Sequence, residues 1–522
     1  MFFKTTTYAL YGLRLRKVTV EVDVEDGPQA FAIQGLPTGS ADQTRGLLRS
    51  AIAHAGLSFP EDRRVKVRIA PMPILVSEVE GLNFAIAVAV VAATGQVSRS
   101  CISRIALAGN LQPDGTIAPI RGALQMAEAV AEDPNLDSLA VANASAPEAA
   151  CASGVEVLQL FSVGALRYLS EDDRERLHPE PRSLPASPDP GGPDFADLPG
   201  IDIPRRAAEV AVAGNHSLLL AAPVGAGQSL VARRIPSILP PLRRAEALEV
   251  LRIASAAEQS GSSATGRPFR SPGRDVDLVA VLGGSHPPAP GEVSLAHNGV
   301  LYLDQVHSFD LEILDAVAVA RGSNSTFIGS PPQMVPSAFF LVASTQLCPC
   351  GSFAAPDRLC SCDEAVLANH QHRLAAAAEC FDMVSTYGPP TREDLAAPPG
   401  EPSCAIRSRI MEARSRQATR LGEGRTNSQM SASETEDCGL SAETVDAINR
   451  GFPYPHMAGR RLRIAKGART VADLAGAEQV DTFHLAEAVD LQFGRSSADP
   501  PTAHLCAHPL DSHSTAAPIE AP

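Results

Sequence analysis

The sequence predicts a multidomain α/β protein with three folded units: an α+β domain, an α/β domain built around a glycine-rich loop, and a helical C-terminal domain. Two observations carry this prediction. Residues 215–235 read as a short apolar strand, a loop of small residues and a helix, which is the local context of a phosphate-binding loop. A charged and then Pro/Gly/Ser-rich stretch, 169–193, reads as a linker between this region and the strands and helices before it.

Composition limits the class of protein. The chain has 522 residues, 44% of them hydrophobic, which is enough for about two to four domains with real cores. The formal net charge of -15 argues against nucleic-acid binding over most of the protein surface, although a local basic channel is compatible with this charge. The N-terminal stretch lacks a secretory apolar region, and the longest apolar run, 84–93, is too short to span a bilayer. We therefore expect a cytoplasmic protein without membrane association, whose ten cysteines serve as thiols or metal ligands.

Residues 1–168 form the first predicted unit. Predicted strands, which alternate apolar and polar residues or form short apolar runs, are 18–24, 30–33, 65–69, 106–111 and 138–141. Predicted helices, which carry apolar residues on one face or throughout, are 40–55, 84–93 and 122–131. This mixture is typical of an α+β domain.

Residues 194–390 form the second predicted unit and residues 391–495 the third, followed by a polar tail, 496–522, that we expect to be disordered. Predicted strands of the second unit are 217–222, 299–304 and 338–343, and its helices are 205–213, 243–257 and one from 229 onward. Predicted helices of the third unit are 408–420, 441–451, 460–476 and 482–493.

The glycine-rich loop departs from the phosphate-binding consensus G-x-x-x-x-G-K-[ST]. Its last glycine and its hydroxyl are present, but Gln228 stands at the lysine and Ala222 at the first glycine. Taken alone, the motif is equally consistent with an ordinary strand–turn–helix. The residues expected to surround nucleotide phosphates are Pro223, Gly225, Gly227, Gln228 and Ser229.

Two further strands end in residues that suit the same chemistry. An apolar strand ends in Asp304, and a buried strand that ends in an aspartate is the arrangement in which the carboxylate holds Mg²⁺. The glutamate that usually follows and polarises water is replaced by Gln305. A third strand ends near Gln346, where an asparagine that senses the γ-phosphate is expected. The two predicted catalytic positions, Gln305 and Gln346, are therefore degenerate.

Four cysteines follow the third strand as C-P-C-x9-C-S-C. Four thiolates in two close pairs are suited to a tetrahedral Zn²⁺ site. The spacing within each pair is tighter than the usual C-x2-C, so free or structural thiols are the alternative. The candidate ligands are Cys348, Cys350, Cys360 and Cys362.

Several blocks of the sequence resemble the magnesium-chelatase-like AAA+ ATPases of the ComM/YifB competence group. The blocks are VTVEVDVEDGPQAFAIQGLP, the phosphate-loop region, RPFRSPG, LGGSHPPAPGEVSLAHNGVLYLD, CPCGSF with CSC, and ARTVADLAG. The resemblance covers most of residues 1–495. It implies a Lon-protease-like N-terminal domain related to a ribosomal S5-type domain, an AAA+ domain that binds ATP with Mg²⁺, and a helical lid. It also implies hexameric rings, or mixed rings with relatives, and DNA branch migration in uptake and recombination.

The resemblance also places the remaining catalytic positions of this ATPase. The arginine that stabilises the transition state falls on Cys380. A lid arginine falls on Gly459, where the adjacent Arg460 and Arg461 are able to substitute for it. Together with Gln228 and Gln305, these losses predict a pseudo-ATPase in which Asp304 is the intact member. A basic run over 460–469 is a candidate for contact with phosphate or DNA, with a solvated helix face as the alternative.

Peptidase activity is not expected from the N-terminal unit. Lon-type proteases use a serine–lysine dyad, a nucleophile with an adjacent base. The corresponding segment carries Asn83 and no serine, and the lysine position reads as Arg121, which stays protonated and makes a poor base. Three interpretations of function stay open: a ComM/YifB-type ring protein acting on DNA, a non-hydrolysing scaffold or regulatory subunit of a AAA+ ring, and a chelatase-type motor acting on a protein partner.

Overall fold

The structure, a computed structural model, describes most of the chain. The described residues are 1–36, 40–71, 81–169, 174–182, 184, 192–257, 266–284, 287–353, 355, 359–454 and 457–493. The predicted tail, 496–522, lies outside the described residues, as does part of the predicted linker. No helix in the described part of the chain is both long enough and apolar enough to cross a membrane.

The N-terminal unit is a mixed sheet with helices packed on it. Its strands are β1 (Phe2–Tyr11), β2 (Arg14–Glu25), β3 (Ala30–Gln34), β4 (Arg64–Ala70), β5 (Ile105–Ala108), β6 (Asn110–Leu111), β7 (Ile117–Ala118), β8 (Ser138–Ala142) and β9 (Glu156–Leu160). Its helices are α1 (Ser40–His54), α2 (Leu82–Ala93), α3 (Arg99–Ile102), α4 (Ala123–Ala131) and α5 (Ala146–Ala149). Seven strands pair in the order β3-β4-β2-β1-β5-β8-β9.

Helix α2 is the centre of this unit, and it matches the helix predicted over 84–93. All of its residues except Asn83 are buried, and it contacts β1 and β2. Strand β1 was not predicted, and it pairs antiparallel with β2 and parallel with β5. The first unit is therefore a seven-stranded sheet packed against a buried apolar helix, with β6 and β7 as a separate two-stranded sheet.

Part of the predicted linker packs on the N-terminal unit. A 3₁₀ turn, Arg174–Leu177, places Leu177 in the hydrophobic core of that unit. Arg174 Nε donates to Glu156 Oε1 at 2.9 Å, and the Arg182 amide donates to a carbonyl of α5. The stretch 174–182 therefore packs on the first unit, although it lies within the predicted linker, 169–193.

The second unit is organised around a parallel sheet. Its strands are β10 (Leu218–Ala221), β11 (Phe269–Arg270), β12 (Val300–Leu303), β13 (Ser325–Ile328), β14 (Gln333–Pro336), β15 (Phe340–Thr345) and β16 (Met383–Thr386). Its helices are α6 (Asp202–Gly214), α7 (Gln228–Ile238), α8 (Arg244–Ala256), α9 (Leu278–Leu282), α10 (Glu292–Leu295), α11 (Leu311–Ser323) and α12 (Glu364–Ala378). Five strands pair in parallel in the order β11-β12-β15-β10-β16, while β13 and β14 form a separate hairpin.

The C-terminal part is helical, as predicted. Its helices are α13 (Arg392–Ala396), α14 (Ser403–Leu421), α15 (Ala432–Glu436), α16 (Ala442–Gly451), α17 (Ala458–Ala475) and α18 (Thr482–Phe493). Helix α14 packs on α6 and α7, and α17 packs on α6, α14 and α18. These contacts place the helical part against the helices that flank β10, so it borders the sheet that carries the predicted motifs.

Candidate functional site

The three predicted motifs lie side by side at one edge of the parallel sheet. Strand β15 is flanked by β10 and β12, with Ala221 opposite Thr345 and Leu303 opposite Ala343. The loops that follow these strands therefore leave the sheet at the same edge. Open α/β sheets bind ligands outside the carboxyl ends of their strands, so this edge is the candidate site.

The glycine-rich loop has the shape of an anion cradle. Gly225 and Gly227 adopt left-handed conformations, with φ of 89° and 82°, and nothing lies within 4 Å of a Cβ built on either residue. Helix α7 begins directly afterwards at Gln228, so its first N–H groups face the loop. Loop amides and a helix N-terminus together attract phosphate.

Gln228 turns its side chain away from this cradle. Its Nε2 donates to the carbonyl oxygens of Thr345, Ala222 and Leu220 at 2.6, 3.2 and 3.3 Å. A lysine at this position brings a positive charge to bound phosphates. The glutamine instead ties the start of α7 to the ends of β10 and β15 and supplies no charge.

A cluster of four oxygen-bearing side chains lies beneath the loop. The Tyr302 hydroxyl is 3.0 Å from Ser229 Oγ, 2.8 Å from Ser344 Oγ and 3.0 Å from Asp304 Oδ1. Ser344 Oγ donates to the same Asp304 oxygen at 2.6 Å. Burial raises the pKa of Tyr302 to about 12, so its phenol is protonated at neutral pH. Asp304 thus lies at the strand end where it was predicted, and hydroxyl groups surround one of its oxygens.

The two degenerate catalytic positions sit beside this cluster. Gln305 has a left-handed backbone, φ 57°, and its amide donates to Ser344 Oγ at 3.2 Å. The Gln346 carbonyl lies 2.9 Å from His370 Nε2. His307 Nδ1 is 3.0 Å from Thr345 Oγ1, and burial lowers the pKa of His307 to about 4, so its ring is neutral at pH 7. No positive charge comes from these groups.

The arginine positions of the predicted ATPase are also changed. Cys380 follows α12 and packs against the hydrophobic core on that side of the sheet. The neighbouring Glu379 accepts from Arg460 at 3.0 Å and from Arg463 at 2.9 Å, both on α17. Arg460 was expected to be able to replace the lid arginine, but in the structure this ion pair holds it beside Cys380.

The four predicted zinc ligands come together. All four sulfur atoms lie within 4.8 Å of one another, and Cys348–Cys350, Cys350–Cys360 and Cys348–Cys360 are 3.3, 3.6 and 3.7 Å apart. Tetrahedral Zn²⁺ with sulfur ligands at about 2.3 Å needs sulfurs about 3.8 Å apart, so the cluster fits the ion. The Phe353 amide also donates to Cys348 Sγ at 3.2 Å, as outer-shell donors to metal thiolates do.

Three family profiles and several known proteins match this chain. The family profile described as magnesium chelatase, subunit ChlI, matches residues 194–388, the ChlI C-terminal profile matches 400–492, and the profile for subunit ChlI of Mg-chelatase matches 20–144. The uncharacterized protein YifB of Salmonella typhimurium is 30% identical over 493 residues, covering 92% of this chain and 95% of the relative. The YifB protein of Escherichia coli is also 30% identical, over 497 residues, with the same coverage. The competence protein ComM of Haemophilus influenzae is 28% identical over 493 residues, covering 92% of this chain and 95% of the relative.

The chain belongs to this YifB/ComM family of magnesium-chelatase-like proteins. The mixed α/β structure, with its parallel sheet and helical C-terminal part, is consistent with the AAA+ fold of the magnesium-chelatase profile. The resemblance drawn from the sequence blocks is confirmed. The Lon-like character of the N-terminal unit stays a prediction.

In this YifB/ComM chain, the two segments predicted to lack a peptidase dyad lie side by side in the N-terminal unit. Asn83 Oδ1 is buried, and no described residue forms a hydrogen bond with it. Gly81 lies against Ile120, so the segments that carry Asn83 and Arg121 are neighbours. Neither an amide nor a guanidinium can replace the serine and lysine of such a dyad, and the absence of peptidase activity stays a prediction.

The basic run on α17 is taken up inside the chain. Arg463 donates to backbone carbonyls of residues 379 and 381 in addition to its ion pair, and Lys466 donates to the Ser428 carbonyl at 3.0 Å. Arg469 is 2% exposed and pairs with Asp473 at 3.0 Å. Arg460 and Arg463 therefore tie α17 to the segment after α12, while Lys466 and Arg469 bond within the helical part. Contact of this run with phosphate or DNA stays a prediction.

Three site residues were missed by the sequence analysis. Tyr302 and Asp304 are two residues apart at the end of a strand, so the twofold alternation of strands could have placed both on one face. Ser344 stands on the neighbouring strand, where only the register with β12 brings it to Asp304. His307 follows a left-handed turn at Gln305, and no local pattern predicts its position.

Proposed function

We propose that this chain is a nucleotide-binding member of the magnesium-chelatase-like AAA+ proteins that hydrolyses ATP very slowly or not at all. The observation that carries the proposal is Gln228, whose amide is bonded to three backbone carbonyls while the phosphate cradle beside it is intact. Loss of one charge-assisted hydrogen bond costs about 1.5–3 kcal/mol, which weakens phosphate binding without abolishing it.

The same geometry argues against turnover. Gln305 can orient a water molecule, but its amide cannot accept a proton. Cys380 supplies no transition-state charge, and the nearby Arg460 is paired with Glu379. An arginine finger contributes about 10³–10⁵ in rate, so its absence alone makes hydrolysis slow. The separate losses need not add.

Equilibrium binding of radiolabelled ATP tests the first half of the proposal. Gly225→Ala puts a methyl group into the cradle, and we expect it to reduce ATP binding by about tenfold or more, because phosphate oxygens approach the loop amides there. Gly422→Ala is the matched control, since Gly422 also has a positive φ, 96°, and open space around it. Equal binding by the two variants, or no binding by the wild type, contradicts the proposal.

Within this proposal the chain works in a ring, as a homo-hexamer or beside active relatives, and serves DNA processing during uptake and recombination. The similarity to a protein named for competence supports the DNA role. The magnesium-chelatase profile supports the second candidate, a scaffold or motor subunit that acts on a protein partner. Light scattering with ATP, followed by fluorescence anisotropy with forked DNA, separates them: a ring that binds DNA supports the first role, and a ring that ignores DNA supports the second.

We also propose that Cys348, Cys350, Cys360 and Cys362 hold one Zn²⁺. The carrying observation is the spacing of the four sulfur atoms. Metal analysis of protein purified under reducing conditions should give one zinc per chain, and Cys360→Ser should lower this value. Cys404→Ser is the control, because Cys404 is an exposed cysteine outside the cluster. Absence of zinc from the wild type overturns the assignment.

A further inference from the structure

Tyr302 occupies an unexpected place in the nucleotide site. It extends from β12 toward α7, is 2% exposed, and its ring lies 5.9 Å from the Phe269 ring. Its hydroxyl is within hydrogen-bond distance of Ser229, Asp304 and Ser344. The phenol oxygen therefore lies between the hydroxyl of the phosphate loop and the carboxylate that ends the neighbouring strand.

In P-loop ATPases these two groups hold the Mg²⁺ of the nucleotide. Mg²⁺ demands near-ideal octahedral geometry with oxygen ligands at about 2.0–2.1 Å, and it usually keeps several waters. Here the Tyr302 oxygen lies 3.0 Å from Ser229 Oγ and 3.0 Å from Asp304 Oδ1. The residues present do not fit a hydrated Mg²⁺ between Ser229 and Asp304 unless the phenol moves away.

The phenol is well fixed where it is. Ser344 binds both the Tyr302 hydroxyl, at 2.8 Å, and Asp304 Oδ1, at 2.6 Å. The Gln305 amide donates to the same Ser344 oxygen, so the cluster is tied to the backbone. A neutral hydroxyl that links Ser229 with Asp304 satisfies both groups without a cation.

We propose that the Tyr302 hydroxyl takes the place of the divalent cation, so that this chain binds metal-free nucleotide phosphates and gains nothing from Mg²⁺. The inference rests on the proposed function, because it requires the loop to bind a nucleotide. The ligand class is a nucleoside di- or triphosphate held by the loop amides and the N-terminus of α7. The consequence is a site that binds nucleotide without the Mg²⁺ ion that hydrolysis needs.

Titration with fluorescent N-methylanthraniloyl-ATP, in excess EDTA and in excess MgCl₂, tests this directly. We expect the two wild-type dissociation constants to agree within about twofold. Tyr302→Phe keeps the ring beside Phe269 and removes the oxygen that fills the ion's place. We expect this variant to bind about tenfold or more tightly in MgCl₂ than in EDTA. Tyr8→Phe, in the N-terminal unit, is the control and should behave like the wild type.

Wild-type binding that tightens about tenfold with MgCl₂ overturns this inference and leaves the proposed function standing. A Tyr302→Phe variant that binds nucleotide equally in both buffers also overturns it. If wild-type binding is too weak to measure, both titrations are repeated with Gln228→Lys added to the wild type and to Tyr302→Phe. The ratios of the dissociation constants in EDTA and in MgCl₂ are expected to be the same as above. Failure of the Gln228→Lys variant to bind nucleotide in either buffer overturns the proposed function and this inference together.

Discussion

At the scale of single residues, Gln228 determines how strongly the site binds phosphate. Its side chain is long enough to reach the strand ends, where Nε2 lies within hydrogen-bond distance of three backbone carbonyl oxygens that share its two hydrogens. Its position in the loop could be predicted, because the flanking sequence fixes it at the lysine of the consensus. Its orientation could not, because Thr345 lies 117 residues away in sequence.

Gln228→Lys should tighten ATP binding by about ten- to a hundredfold, because a charge-assisted hydrogen bond to phosphate is worth about 1.5–3 kcal/mol. Gln228→Met keeps a similar length without charge and should show no gain. Equilibrium dialysis of both variants measures the effect. A lysine variant that binds no more tightly than the methionine variant contradicts this account of the loop.

His216 gives the fold a pH-dependent contribution to stability. It is 2% exposed, and burial lowers its pKa to about 4, with Arg321 and Lys466 adding to this shift and Asp382 opposing it. An unfolded histidine titrates near pH 6.5, so between pH 6.5 and 4 the unfolded chain binds the extra proton. The contribution of His216 to the free energy of unfolding is therefore fully present above pH 6.5 and is lost as the pH falls toward 4.

When the pH falls from 7 to 5, His216 should lower the free energy of unfolding by about 2 kcal/mol. His216→Gln should remove this part of the acid sensitivity, so the variant should lose about 2 kcal/mol less than the wild type over that interval. Urea unfolding at the two pH values measures the difference. His54→Gln, at an exposed histidine, should retain the wild-type behaviour. Equal acid sensitivity of wild type and His216→Gln would show that the ring is not held neutral.

At the scale of elements, periodicity predicted the strands and helices whose buried faces are apolar. Strand β1 was missed because its buried positions include Thr5 and Thr7, which read as polar. Their hydroxyls donate to the carbonyls of Ala85 and Leu107 at 3.0 and 2.6 Å, so they are satisfied inside the core. Such a strand can be recognised only when its neighbours are known.

The cysteine loop is an element that supports the phosphate loop. The Val224 amide donates to the Gly351 carbonyl at 3.0 Å, and Gly351 lies between Cys350 and the turn that follows. A Cβ on Gly351 would come within 2.2 Å of the Val224 side chain, so the two loops are in close contact. The cysteine loop therefore contacts the phosphate loop through Gly351 and Val224.

Loss of the zinc proposed for the cysteine cluster should loosen the phosphate loop. Cys360→Ser should speed hydrogen exchange of the Val224 amide by about tenfold or more, because its acceptor belongs to the cysteine loop. Exchange at Leu219, inside strand β10, should stay unchanged. Cys404→Ser serves as the control. Unchanged exchange at Val224 after complete loss of metal would mean that the two loops are not coupled.

At the scale of the whole molecule, the contacts between the N-terminal unit and the parallel-sheet unit could not be predicted. Arg252 on α8 pairs with Glu128 on α4 at 2.6 Å, and the Gly122 amide donates to Ser255 Oγ at 3.0 Å. The two residues of each pair are more than a hundred positions apart in the sequence. Nothing in the sequence distinguishes these charged and hydroxyl side chains from ordinary surface residues, so the contacts could not be predicted. The N-terminal unit therefore contacts the second unit through α8, the helix that precedes β11.

Steady-state ATP hydrolysis tests the central claim most directly. Wild-type protein at saturating ATP and Mg²⁺, with and without DNA, should turn over far below about 1 s⁻¹. Gln305→Glu alone should change little. Gln228→Lys with Gln305→Glu should still be slow, because Cys380 supplies no transition-state charge. Wild-type turnover of about 1 s⁻¹ or more, stimulated by DNA, would contradict the account and make this chain an active ATPase of the YifB/ComM family.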